Sequence, residues 1–255
     1  VALDTLLPSI PTWSAYLAVA VGGLAGASHA ARRGFDVIGV LGLAAATGLG
    51  GLLLRDVLLQ KGTPVVLTDP RYLLAAAFAA LLGFFFAGLI GRFNKALLGL
   101  DALAMGLFVA LGASAALFFS LGVAPALFLG LVTALGGGVL RDLLSGESPA
   151  VLRPGIFSGV AALIGAVVFL TLAQFGLETF WNQLATIATV FIVRILALWR
   201  GWESPTPVDV SGRLSIALTH ARVPVLPLRG HLPAGRSTQE ANESDGNSRD
   251  PEQSV

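Results

Sequence analysis

Cysteine is absent from the 255 residues, which excludes disulfides, thiolate metal sites and thiol nucleophiles. Histidine occurs only at His29, His220 and His231, too scattered to read as a ligand cluster. Charge is scarce too. Asp, Glu, Lys and Arg make up 12% of the chain, about half of the ~25% usual in soluble domains. The net charge of +1 gives no basic footprint, so no nucleic acid partner is expected. No phosphate-binding glycine loop, nucleophile–base pair or pair of catalytic carboxylates is visible. Neither an enzyme nor a cofactor or metal site is therefore expected.

What is present is apolar. Hydrophobic residues make up 55% of the chain and the mean hydropathy is +0.80. A soluble fold of this length has too little interior for so much apolar surface, whereas lipid accepts it. A helix needs about 20 mostly apolar residues to cross a bilayer. Seven windows meet or approach that length: 12–31, 37–54, 72–91, 102–120, 123–140, 155–175 and 179–199. The first six hold no charged residue, and the seventh holds Arg194. The fourth and fifth form one uncharged run, which Gly122 and Pro125 split into a helical hairpin. Backbone groups in lipid must be satisfied internally, and without alternating polarity these runs are helices rather than barrel strands. The expected fold is an all-α integral membrane protein of seven transmembrane helices. Trp13, Trp181, Trp199 and Trp202 fall at window ends, where amphipathic rings favour the interface.

Basic residues set the orientation. Arg32, Arg33, Arg92, Lys95, Arg153 and Arg200 fall on one face, against Lys61 and Arg71 on the other. The positive-inside rule then puts the N-terminus outside and the C-terminus in the cytoplasm. Residues 203–255 read as a polar, largely disordered tail.

The chain also repeats itself. GLGGLLLRDVLLQKGTPVVL at 48–67 recurs as ALGGGVLRDLLSGESPAVL at 134–152. Thr47 matches Thr133, Arg55–Asp56 matches Arg141–Asp142, and Gly26–Ala27–Ser28 matches Gly112–Ala113–Ser114 in the same register. Residues 12–91 form the first three-helix repeat and 97–175 the second, with 179–200 a seventh helix outside both. Three is odd, so the second copy enters from the opposite face and the repeats are inverted, a recurrent design in transport proteins.

Gly48, Gly50 and Gly51, and Gly136, Gly137 and Gly138, either bend their helices along a path or let backbones approach. Arg55, Asp56, Arg141 and Asp142 are costly near lipid and must face protein or water. Neighbours in sequence do not face each other on a helix, so each arginine is expected to reach an acid elsewhere, such as the aspartate of the other repeat. Thr47, Thr133, Ser28, His29 and Ser114 either line a pore or bond their own helix. Asp36 and Asp101 read as helix caps, and Arg194 as snorkelling to the cytoplasmic interface.

The paired GGLLLRD and GGGVLRDLLSGESPAVLRP, with RRGFDVIGV and TDPRYLLAA around the first, resemble the prokaryotic trimeric intracellular cation channels over about 15–202. The resemblance implies a homotrimer with one pore per protomer, in the inner membrane and in contact with membrane lipids. It implies that the second and fifth helices kink at the glycines and line a pore for monovalent cations, chiefly potassium. The ligands it implies are that permeant cation and bound lipid. Two features depart from the family: Leu52 follows Gly50 and Gly51 where many relatives have a third glycine, and the tail has no counterpart. A secondary transporter for a small solute such as glycine is the alternative on the same architecture. A non-transporting membrane scaffold or an intramembrane enzyme is a third class.

Overall fold

A computed structural model describes residues 12–60, 62–91, 94–153 and 157–202, with side chains outside 87–91 and 94–96. The tail at 203–255, Lys61 and Arg92 lie outside the described residues. The described part is helical, with no strand among its residues. In chain order the helices are α1 Thr12–Arg32, α2 Val37–Leu59, α3 Val65–Thr68, α4 Pro70–Gly91, α5 Asn94–Phe118, α6 Val123–Leu144, α7 Ser158–Gln174 and α8 Thr179–Arg200. A 3-10 turn, Ala150–Leu152, precedes α7.

A long helix lies on each apolar window. By length and composition Val37–Leu59, Leu97–Phe118, Val123–Leu144 and Thr179–Arg200 are long and apolar enough to cross a membrane. Pro70–Phe86 and Ser158–Gln174 are shorter apolar helices. The outward faces carry Ile38, Leu74, Phe78, Phe85 and Ile192, a surface suited to lipid. The four tryptophans stand exposed at helix ends.

Local chemistry sets the boundaries. Asp36 caps α2 by accepting the Gly39 N–H at 2.8 Å, as its position suggested. Pro70 occupies the first position of α4, where its missing N–H costs nothing. The Asp69 side chain ahead of it accepts the Arg71 N–H at 3.0 Å. Gly122 takes φ +88 between α5 and α6, a left-handed turn that glycine adopts without strain. Pro125 fits the first turn of α6, so the hairpin splits where these residues predicted. One boundary differs. α5 begins at Asn94, so Asp101 lies inside the helix and is not its cap. Two arginines neutralise it there, as described below, and the helix runs past it.

α1, α2 and α4 pack mutually, as do α5, α6 and α7. α2 crosses α6 and α1 lies along α5, joining the two groups, while α8 packs on α5 and α7. α1 buries Ala18, Gly22, Gly23, Ala25, Gly26 and Ala27. Small residues suit that position because helices in lipid associate through close backbone packing.

Candidate functional site

The repeated glycines sit at the crossing of α2 and α6, and each half uses them in the same way. A Cβ on Gly51 would strike the Thr133 carbonyl, and one on Gly137 would strike the Thr47 carbonyl. A Cβ on Gly50 would come within 2.5 Å of the Leu140 side chain, and one on Gly136 within 2.6 Å of Leu54. Gly48 lies so close to α1 that a Cβ would sit 2.7 Å from the Val19 carbonyl oxygen. Close packing is thus a visible role of these glycines. α2 and α6 remain continuous α-helix through them. Gly138 differs, with only Arg141 Nη2 near a Cβ, at 3.9 Å.

Thr47 and Thr133 are buried, and both hydroxyls bond their own helices. Thr47 Oγ1 donates to the Leu43 carbonyl at 2.7 Å and Thr133 Oγ1 to the Leu129 carbonyl at 2.6 Å. Ser28 and Ser114 are also buried, and among the described residues their hydroxyls have no hydrogen-bond partner, nor has His29 Nε2.

The Arg–Asp motifs flank the crossing at the ends of α2 and α6. Arg55 Nε donates to Asp56 Oδ1 at 2.7 Å, and Asp56 Oδ2 accepts the Val65 N–H at 2.8 Å. Arg141 Nε donates to Asp142 Oδ1 at 2.9 Å, and Asp142 Oδ2 accepts the Ala150 N–H at 2.7 Å. Neither arginine pairs with the other repeat's aspartate: each pairs with its own neighbour, and Arg141 alone also reaches an acid elsewhere, Asp101. The cause lies beyond the helix end. Pro64 and Pro149 turn the chain back, and the next N–H holds the carboxylate aside, within reach of the long guanidinium arm.

The second motif has one further partner, which a third arginine shares. Asp101 on α5 receives Arg141 Nη1 at 3.3 Å on Oδ1 and Arg194 Nη2 at 3.4 Å on Oδ2. Arg194 does not snorkel to the interface; it is buried and points inward from α8. Asp101 and Arg194 are the site residues that the motifs missed. The available signal was electrostatic: a lone arginine inside an apolar helix demands a carboxylate, and Asp101 stands at the edge of the fourth window.

These groups border a cavity of about 50 Å³ beneath the crossing, with Thr47, Asp101, Gly137, Gly138, Arg141 and Arg194 in its wall. That is room for a few waters or one small hydrated ion. A second cavity of about 290 Å³ lies at the other end of α5, between Ser114, Phe118, Phe169 and Asn182. His29, Asp142 and Glu147 could offer a metal three ligand atoms within 4.8 Å of one another. Both carboxylates are already committed, Asp142 to Arg141 and Glu147 to Arg33 and Arg153. Outside the helical spans, Asp69 pairs with Arg71 at 3.0 Å and accepts the Tyr16 hydroxyl. These hydrogen bonds, Arg71's first, hold its carboxyl down at about 2.

The helices and their crossing define a multi-pass membrane protein in which two glycine helices meet at backbone contact, between buried Arg–Asp pairs. A family model described as "Glycine transporter" matches twice, over residues 12–88 and 98–174. A UPF0126 membrane protein of Deinococcus radiodurans is 34% identical over 179 residues, covering 68% of this chain and 83% of that protein. One from Streptomyces coelicolor is 40% identical over 188 residues, covering 73% of this chain and 86% of its own length. The UPF0126 inner membrane protein YadS of Escherichia coli K12 is 29% identical, over 79% of this chain and 98% of that protein. The solved TRIC trimeric intracellular cation channel orthologue from Rhodobacter sphaeroides is similar at 36% identity and a TM-score of 0.70, over 75% of this chain and 98% of that one. A structure from work on conductance through TRIC cation channels gives 33% and 0.71, over 78% and 98%. The chain belongs to this TRIC family, whose sequence model carries the glycine-transporter label.

Proposed function

We propose that the protein is a monovalent cation channel, chiefly for potassium, acting as a homotrimer in the bacterial inner membrane with one pore per protomer. In this reading seven helices span the bilayer, with the N-terminus outside and the C-terminus cytoplasmic. Residues 12–91 and 97–175 are inverted repeats about an axis in the membrane plane. The double match of one family model and the equivalent helix pairings in each half support that symmetry.

The observation that carries the reading is the reciprocal crossing. Gly51 rests on the Thr133 carbonyl and Gly137 on the Thr47 carbonyl, beside a cavity bordered by Asp101, Arg141 and Arg194 and between two Arg–Asp pairs. Held so, the crossing is a seal. Conduction requires α2 and α6 to part, and glycine's low helix propensity lets them bend there. The freed Thr47 and Thr133 carbonyls then replace part of the ion's hydration shell. Pairing with Asp56 and Asp142 keeps Arg55 and Arg141 from repelling cations.

Single-channel recording of purified protein in planar bilayers under a potassium gradient tests this. Unitary currents reversing near the potassium potential are the expected result. A seal with a cavity beneath it also suits an alternating-access carrier. Electrical silence with saturable uptake of a labelled small solute such as glycine would establish the carrier and recast the same glycines as hinges.

A further inference from the structure

A buried guanidinium ordinarily grips a carboxylate through two parallel hydrogen bonds. Arg194 does not. It is 5% exposed, yet among the described residues its one ion pair is a single 3.4 Å contact from Nη2 to Asp101 Oδ2, and its Nε has no hydrogen-bond partner there. Arg141 is better held, since Asp142 takes both its Nε and its Nη2 at 2.9 Å. Asp101 is the most open member of the group. Its side chain is 28% exposed, against 6% for that of Arg194 and 3% for that of Asp142, and it borders the cavity beneath the crossing.

From this geometry we infer that the Asp101 carboxylate is a binding site for a monovalent metal cation, and that Arg194 is a tethered competitor occupying it while the crossing is sealed. The inference deepens the channel reading and rests on it for the current, though not for the binding.

Charge decides the class of ligand. Arg141 and Asp142 cancel, and Arg194 and Asp101 cancel. One monovalent cation keeps the cavity neutral once the Arg194 guanidinium has swung out of it, whereas a divalent ion would leave it overcharged in a poorly solvated place. Size agrees, because about 50 Å³ admits an alkali ion with a water or two and excludes a bulky organic cation. Displacement breaks one long contact and no bidentate pair. The first repeat has no such device. In the register that aligns Gly26 with Gly112, Asp101 corresponds to Ala15, and Arg55 has only Asp56 as its ion-pair partner among the described residues. The site therefore belongs to one face of the membrane.

The test uses full-length protein and potassium chloride, with N-methylglucamine chloride at equal ionic strength as control. Thermal stability is read in detergent and potassium flux in liposomes. Arg194→Gln removes the competitor, and the potassium concentration for half-maximal stabilisation should fall about tenfold, the worth of one lost charged contact. Flux should rise with it. Arg194→Lys, which keeps the charge, should show a smaller shift. Adding Asp101→Asn to Arg194→Gln should abolish the potassium-specific stabilisation. Where Arg194→Gln does not purify as a single species, Arg194→Met replaces the buried charge with an apolar side chain of similar length. Potassium stabilisation that is unchanged in Arg194→Gln, or that survives in the double variant, overturns the inference. A potassium shift that follows this order in a protein without unitary currents would uphold the site and refute the channel.

Discussion

Adding one methyl group at two glycines of the same run should have opposite effects on stability. At Gly51 a Cβ meets the Thr133 carbonyl, a backbone atom that cannot rotate away. Gly51→Ala must push α6 off α2, and such overpacking costs about 1–3 kcal/mol. Parting the helices also forfeits the neighbouring contacts at Gly50, Gly136 and Gly137, which depend on the same approach. Alanine's better helix propensity returns about 1 kcal/mol, so the clash alone leaves a net loss of up to about 2 kcal/mol, to which the forfeited contacts add. Gly138→Ala meets nothing nearer than Arg141 Nη2 at 3.9 Å. It keeps the propensity gain of about 1 kcal/mol and loses no packing. Gly137→Ala should match Gly51→Ala, because it meets the Thr47 carbonyl in the same way. The assay is retention of the oligomer peak in size-exclusion chromatography after graded heating. Gly51→Ala and Gly137→Ala should lose the peak at temperatures several degrees below wild type, while Gly138→Ala holds or gains. Flux should separate the variants differently. The new methyl in Gly138→Ala projects toward the cavity wall, so flux should fall in a protein that is as stable as wild type. Equal melting of Gly51→Ala and Gly138→Ala would refute the close-crossing argument, since propensity alone treats them alike.

Asp142→Asn leaves Arg141 with only its 3.3 Å contact to Asp101 and should cost up to about 3–5 kcal/mol, the usual penalty for breaking a buried ion pair. Arg33→Ala removes a half-exposed partner of Glu147 and should cost at most about 1 kcal/mol; yields of monodisperse protein would rank the two. Asp69 is held at about 2 in the folded protein, below the unfolded value of about 3.9. Its contribution to stability is thus complete above about pH 4 and lost as pH falls toward 2. Melting temperatures from pH 6 to pH 2 should fall more steeply in wild type than in Asp69→Asn. Thr47→Val keeps the shape of the side chain while removing a hydroxyl already bonded to Leu43, so potassium flux should fall less than in Gly138→Ala.

Much of this architecture was legible because lipid imposes simple demands. Runs of uncharged residues had to be helices, and Gly122 with Pro125 had to interrupt the longest. The repeat was legible because two copies of one motif share register as well as composition, which also located the crossing. What the glycines do there was left as a choice between bending and packing, because a glycine announces a missing side chain and not the atom that fills its place. Only the partner helix supplies the Thr133 and Thr47 carbonyls. Charge was the weak point. Helical spacing argued that adjacent arginine and aspartate face apart, but that rule describes Cβ directions. A four-atom arm at a helix end escapes it once the returning chain pins the carboxylate through Val65 or Ala150.

The deeper difficulty is that a repeat draws attention to what its halves share, whereas direction across a membrane depends on what they do not. Inverted copies put equivalent groups on opposite faces, so a perfectly symmetric protein would present the same field to an ion from either side. Here the shared parts, the glycines and the Arg–Asp pairs, account for the close crossing and the charges that flank it. The unshared parts are Asp101, where the first repeat has Ala15, and Arg194, on the helix that belongs to neither repeat. Any asymmetry in flux or in response to ions among the described residues has to enter through such differences. A search for function by matching the repeats discards these two residues at the first step, although they carry the least satisfied buried charge beside the cavity.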